Sequence, residues 1–252
     1  MKTICVIPAR KRSARFPNKP LASILGKPMI WWVFMACKKV SEFQEIYIAT
    51  ECKDIKQVCE EFGANVILTS EEHDTATDRL YEVSTKIEAD LYVMVNGDEP
   101  VINEKAIEKC IPSNIDTKKF FACNLMTNFE SINEVIDTSN LKIVTNKNGK
   151  CLFISRSPIP FPKGSLDFNY KKFVGVGAFT KKALTFYNNT PKGPIETIEE
   201  NDSFRFIENN MDVFYYDSGF KSLSVDTPKD ISSVEKYLNQ IQSEKETNND
   251  LE

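Results

Sequence analysis

Apolar residues in the first half of the chain fall into two alternating patterns. Thr3–Pro8, Glu45–Thr50 and residues 65–69 and 91–96 are short apolar runs, the pattern of strands buried on both faces of a sheet. Residues 53–62, 77–87 and 103–111 read as helices, with Gly63 closing the first of them. A further helix follows the turn Leu25-Gly26-Lys27-Pro28-Met29, with Pro28 at its first position and Ile30, Trp31, Val33, Phe34 and Cys37 on a wide apolar face. Strand and helix alternating four times predict a Rossmann-like α/β fold, a mostly parallel sheet flanked by helices.

The pattern then changes. Residues 119–127 are β-like, and 141–145 and 151–154 flank Asn146-Lys147-Asn148-Gly149-Lys150, where Asn148-Gly149 is a hairpin signal. Ser157-Pro158-Ile159-Pro160-Phe161-Pro162 excludes a helix or a central strand. Residues 173–180 and 211–216 are expected as strands and 181–188, 194–208 and 228–240 as helices, with a disordered polar tail at 243–252. The expectation is one domain, residues 1–242, carrying a β-rich insertion at roughly 140–190 that serves as a dimer surface.

Composition narrows the function classes. A net charge of −4 argues against non-specific nucleic-acid binding, because the cationic residues are local. No apolar run approaches the ~20 residues that cross a bilayer. The first strand starts at Thr3 and leaves no room for a signal peptide. A cytoplasmic protein without membrane or nucleic-acid partners is therefore expected. The 7 cysteines are scattered without a Cys-x-x-Cys pair and read as buried free thiols. With His73 the single histidine, any metal has to be hard and oxygen-bound.

Three stretches carry chemistry. Five cations (Arg10, Lys11, Arg12, Arg15, Lys19) follow Pro8, where the first strand ends and where ligands of open α/β sheets bind. Such a cluster suits triphosphate. No G-x-G-x-x-G or Walker A pattern is present, so dinucleotide-binding and P-loop readings are disfavoured. At Asn96-Gly97-Asp98-Glu99-Pro100, Gly97 permits a sharp turn and two carboxylates are expected to project into the cleft. The third is Asp226, expected after a short strand, with Pro228 opening a helix. Two carboxylates from distant strand ends and a basic loop are what Mg²⁺-dependent nucleotidyl transfer needs.

The opening P-A-R-x-x-S-x-R-x-P-x-K-P-L, the G-D-E-P turn, the S-R-S-P-I-P-F segment and V-D-T-P-x-D together resemble the CMP-Kdo synthetase family, the 3-deoxy-manno-octulosonate cytidylyltransferases, over residues 3–238. The resemblance implies a nucleotide-diphospho-sugar transferase type of fold, an inserted dimerisation element and a homodimer. It implies CTP and a sugar acid giving a CMP-sugar and pyrophosphate with Mg²⁺, for lipopolysaccharide or capsule. Carried across by position, Pro8, Ala9 and Arg10 would meet the cytosine and phosphates. Ser13, Arg15 and Lys19 would hold the triphosphate, and Asp98 and Asp226 the metal, with Lys19, Arg15 and Asp98 central to catalysis. Thr77 and Arg79, where the family has S-G-T-E-R, and Asn96, where it has glutamine, would contact the nucleotide. Arg156, Phe173, Glu199, Asp202 and Ser203 fall on the acceptor side, with Arg156 able to bind a carboxylate bidentately. No general base stands out, and His73 reads as a surface loop residue.

Departures from the family cluster at that acceptor side. The family's H-I-G-I-Y-A-Y strand, placed in the insertion, is Phe173-Val174-Gly175-Val176-Gly177-Ala178-Phe179, and its L-E-Q-L-R helix start is Asn201-Asp202-Ser203-Phe204-Arg205. Each lost hydrogen-bond partner costs a polyhydroxylated ligand roughly 1–3 kcal/mol. An acceptor other than Kdo, such as a different small anion, is the alternative. Transferases using UTP and a sugar 1-phosphate usually open with a glycine-rich loop, which residues 9–17 lack. A catalytically silent binding module is the remaining reading.

Overall fold

The computed structural model describes residues 1–13, 15–165 and 167–249. The first half runs β1 (Thr3–Pro8), the hairpin β2 (Ser23–Ile24) and β3 (Lys27–Pro28), α1 (Met29–Cys37), β4 (Glu45–Thr50), α2 (Lys53–Glu61), β5 (Asn65–Leu68), α3 (Ala76–Lys86), β6 (Leu91–Val95) and α4 (Glu104–Glu108). The second half holds β7 (Ala122–Asn128), α5 (Ile132–Ile136), β8 (Lys142–Thr145), β9 (Cys151–Ser155), β10 (Lys171–Thr180), α6 (Lys181–Asn189), α7 (Pro194–Glu199), α8 (Phe204–Ile207), β11 (Phe214–Asp217) and α9 (Asp230–Asn249).

The main sheet has the order β11-β7-β10-β6-β1-β4-β5. β1 pairs in parallel with β4 and β6, and β4 with β5, as the alternating pattern requires. β10 alone in this path is antiparallel to its neighbours β6 and β7. β1 and β6 are buried on both faces. On one side Cys5, Ile7, Val93 and Val95 pack with Ile30 and Val33 of α1, Ile55 and Cys59 of α2 and Ile107 of α4. On the other, Ile4, Val6, Tyr92 and Met94 pack with Leu80 and Val83 of α3, Leu184 and Tyr187 of α6 and Phe206 of α8. Each such side chain contributes roughly 1.5–3 kcal/mol relative to exposure. The cysteines are buried and unpaired.

Several expectations need correction. Leu25 and Gly26 both take positive φ (47° and 77°) and turn β2 into β3, so Pro28 precedes α1 instead of opening it. Within the stretch expected as an insertion, β10 lies inside the main sheet and α6 packs on it, while the β8–β9 hairpin joins the sheet through Lys171 and Lys172 of β10. The single helix expected at 194–208 is two, because Glu200 turns left-handed at φ 50° and the chain folds back. No strand adjoins Asp226, since β11 ends at Asp217, and α9 begins at Asp230, two residues beyond Pro228. α9 runs on to Asn249, into the stretch expected as a disordered tail, with Gln240 bonded to Glu244 and Ser243 to the Asn239 carbonyl one turn back. Residues 250–252 of that tail lie outside the described residues.

Candidate active site

The carboxyl ends of β1 and β6 open into a cleft of about 860 Å³. Strand ends deliver Pro8 and Ala9 from β1 and Asn96, Gly97 and Asp98 from β6. Gly97 is required there, because a Cβ would stand 2.9 Å from the Pro8 carbonyl and 3.0 Å from Ile30. Arg10, Ser13, Arg15 and Lys19 of the opening loop line the same cleft, as do Thr77 and Arg79 of α3. Lys11 and Arg12 turn elsewhere, Lys11 to Asp54 at 2.7 Å and Arg12 towards Glu71.

Lys19 lies between the two predicted metal carboxylates. Its Nζ donates to Asp98 Oδ2 at 2.5 Å and to the Val225 carbonyl at 2.9 Å, and lies 4.0 Å from Asp226 Oδ1. Arg15 Nη2 donates to the same Asp226 oxygen at 2.9 Å. Chain segments remote in sequence thus converge on one point where a cation already lies between both carboxylates. This donor set fits a hard divalent cation that takes two protein carboxylates and fills its remaining positions with phosphate oxygens and water. No group of three or more His, Cys, Asp or Glu able to cage a metal occurs among the described residues.

Asn96 Oδ1 is a buried oxygen without a hydrogen-bond partner, on a residue that lines the cleft, and so is free to accept from a ligand N–H. Arg79 is buried against Glu51 at 2.9 Å and Thr69, which fixes its guanidinium in the wall. Glu99 departs from expectation. It turns away from the cleft into the core, where it accepts from the Gly175 N–H and the Ser222 hydroxyl. Burial, followed by the adjacent Asp98, pushes its pKa up to about 7.

Arg156, Phe173 and Asp202 line the same cleft. Thr77 Oγ1 donates to Asp202 Oδ2 at 2.6 Å, while burial pushes the Asp202 carboxyl upward. Arg156 already spends Nε on the Glu199 carbonyl and Nη1 on those of Thr138 and Ser139, and its Nη2 lies 3.9 Å from Glu200 Oε2; the fully bidentate grip expected of it is reduced. Two acceptor-side assignments are not kept. Glu199 faces Ser155 and the Arg156 N–H and supports the wall from behind. Ser203 is buried behind the cleft against the Tyr215 hydroxyl and Asn124. Phe173 edges onto Tyr215, their ring centroids 6.4 Å apart.

Sequence reasoning missed Asn124, Glu196 and Lys192 in this wall. Glu196 binds Arg205 through both oxygens at 2.9 and 2.5 Å, and Arg205 stacks on Tyr187 with its guanidinium carbon 3.8 Å from the ring centroid. No local pattern signals that pairing, which exists only because α8 folds back on α7. His73, expected on the surface, lines the cleft and bonds to Glu82 at 2.5 Å.

Residues 4–236 match the family model described as Cytidylyltransferase. The chain is 37% identical over 246 residues to the 3-deoxy-manno-octulosonate cytidylyltransferase 2 of Hydrogenovibrio crunogenus, covering 95% of this chain and 99% of that one. It is 33% identical to the 3-deoxy-manno-octulosonate cytidylyltransferase of Escherichia coli, covering 95% and 97%. Among solved structures, a CMP:2-keto-3-deoxy-manno-octonic acid synthetase complexed with CTP superposes with a TM-score of 0.88 at 33% identity, covering 95% of this chain and 99% of that one. The inositol-1-phosphate CTP transferase of T. maritima shares the fold, with a TM-score of 0.67 at 14% identity. No helix among the described residues is long and apolar enough to cross a membrane. With a family model matched over nearly its whole length and relatives this similar, the chain belongs to the cytidylyltransferase family.

Proposed function

We propose that the protein transfers the cytidylyl group of CTP to 3-deoxy-manno-octulosonate, giving the CMP-sugar and pyrophosphate for a surface glycan. The observation that carries this reading is the convergence of Arg10, Ser13, Arg15 and Lys19 with Asp98 and Asp226 in one cleft that Arg156 and Asp202 also line. Relatives named for that acceptor support it. An acceptor hydroxyl attacks the α-phosphorus in line; the new P–O bond forms as the bond to the bridging oxygen breaks and pyrophosphate leaves. Lys19 and Arg15 move from their carboxylates to the phosphates and stabilise the charge that grows there. A divalent cation on Asp98 and Asp226, Mg²⁺ by its preference for carboxylate and phosphate oxygens, would neutralise phosphate charge. Asn96 Oδ1 suits an exocyclic amino group such as that of cytosine.

Pyrophosphate release with each of the four nucleoside triphosphates and this sugar acid tests the reading. Turnover confined to CTP, and lost in Asp98→Asn while that variant still folds, is expected. Turnover with UTP alone, or none with CTP, refutes it. Phe173, apolar in a cleft wall where the family has histidine, keeps a second reading open, in which the acceptor offers fewer hydroxyls. A panel of acidic acceptors separates the two, because the first requires 3-deoxy-manno-octulosonate to give the highest kcat/KM. The family-implied homodimer and cytoplasmic location remain part of this proposal.

A further inference from the structure

We propose that Glu99 and Ser222 are positioning residues, a buried tether that holds Asp226 opposite Asp98. The proposal rests on the reading of those two aspartates as a metal-binding pair. Asp98 stands at the end of a strand, but Asp226 lies on a stretch between β11 and α9 with no regular secondary structure. What fixes that stretch is a series of side-chain and single backbone bonds. Thr127 Oγ1 donates to the Phe220 carbonyl at 2.8 Å, and Lys172 Nζ to the Ser222 carbonyl at 2.9 Å. Ser222 Oγ donates to Glu99 Oε2 at 2.8 Å, and the Val225 N–H to the Asp98 carbonyl at 2.9 Å. Asp226 itself is next in line, its N–H held at 3.0 Å by Asp230.

Glu99 is 3% and Ser222 4% exposed, so water cannot replace their bond. The second Glu99 oxygen accepts the Gly175 N–H at 2.9 Å, where the β10–β7 ladder is interrupted between Val174 and Gly177. One carboxylate thus joins the Asp98 turn, the irregular part of β10 two residues from Phe173, and the Asp226 stretch. Neither Glu99 nor Ser222 lines the cleft. They act through Asp226.

Ser222→Ala removes the tether and leaves both aspartates in place. Its global melting temperature should stay within a few degrees of the parent's, while the Val225 amide exchanges with deuterium about tenfold faster or more. Mn²⁺ affinity, read by the paramagnetic resonance of free Mn²⁺ in the presence of a non-hydrolysable CTP analogue, should fall about tenfold. Glu99→Gln can accept from Gly175 and donate to the Ser222 oxygen, so it should retain both readouts near the parent's, whereas Glu99→Ala should lose both. Unchanged Val225 exchange and Mn²⁺ affinity in a folded Ser222→Ala overturn the tether. Asp226→Asn serves as the control: if it leaves Mn²⁺ affinity unchanged, the metal reading fails and the tether with it. If Asp226→Asn weakens binding and Ser222→Ala does not, the tether alone fails.

Discussion

Lys19 occupies the space in which a divalent cation would bridge Asp98 and Asp226, and this predicts an inverted phenotype for its removal. The ammonium bonds to Asp98 at 2.5 Å and lies 4.0 Å from Asp226, with its side chain 15% exposed. A hydrogen bond to a charged group contributes about 1.5–3 kcal/mol net. A metal ion entering the nucleotide-free protein has to displace that bond, which weakens its affinity by roughly 10- to 100-fold. When triphosphate is present it draws Lys19 and Arg15 to itself and releases the carboxylates. Lys19→Gln should therefore bind Mn²⁺, which shares the oxygen-ligand preference of Mg²⁺, at least tenfold more tightly than the parent without nucleotide, while turnover falls about a hundredfold or more. Linkage adds a second expectation: CTP should strengthen Mn²⁺ binding more in the parent than in the variant. Titration of free Mn²⁺ by electron paramagnetic resonance, with and without a non-hydrolysable CTP analogue, measures both. Equal or weaker nucleotide-free affinity in Lys19→Gln refutes the reasoning.

Glu196→Ala removes both close carboxylate bonds of the buried Arg205 guanidinium and leaves it only Asp78, at 3.8 Å, as an ion-pair partner; breaking a buried pair on one side costs about 3–5 kcal/mol, and a chain of this size should melt roughly 6–20 °C lower. A drop under 3 °C by calorimetry contradicts that. Burial opposes ionisation of Glu82, but Lys86, the Ser70 N–H and His73 outweigh it and carry its pKa down to about 2 from an ordinary value of 4.5. A depressed carboxylate stabilises the fold above its ordinary pKa and loses that contribution as pH falls towards the shifted one. Glu82→Gln should therefore be roughly 2–3 kcal/mol less stable at pH 7, with the gap shrinking from about pH 5 downward. Urea titrations at several pH values test it, and a constant gap contradicts the assignment. A Cβ at Gly177 would clash with Asn124 Oδ1 and stand 2.9 Å from the Cys123 carbonyl. Gly177→Ala should cost about 1–3 kcal/mol and raise the acceptor KM more than the CTP KM; an unaffected acceptor KM would detach this position from the acceptor.

What could be read from the sequence divides by the range of the interactions involved. The strands β1 and β6 are buried on both faces and β4 over its second half, while β5 is the edge strand, so short apolar runs announce all four, and the residues at the ends of β1 and β6 followed: Pro8, Ala9, Asn96 and Asp98 all reach the cleft. Arg10, Ser13, Arg15, Lys19 and Asp226 also reach it, but there the motifs spoke, since nothing local states that residue 226 returns to residue 98. The failures are of the second kind without a motif to help. α7 is capped by Glu208, whose carboxylate accepts from the Ile195 and Glu196 N–H groups at 3.1 and 3.0 Å, so the break at Glu200 depends on a residue beyond the next helix. The strand expected before Asp226 reflects a real alternation, with Val225 buried, but its ladder is made by side chains of Thr127, Lys172 and Glu99 in place of a neighbouring strand. Glu99 shows the same limit most directly. Its position beside Asp98 suggested a second carboxylate in the cleft, yet the interruption in β10 leaves the Gly175 N–H in need of an acceptor inside the core, and that demand turns the side chain inward. Glu199 and Ser203 lie off the cleft wall for the same reason, because their oxygens are taken by Ser155, the Arg156 N–H and Tyr215, partners remote in sequence that no local pattern states.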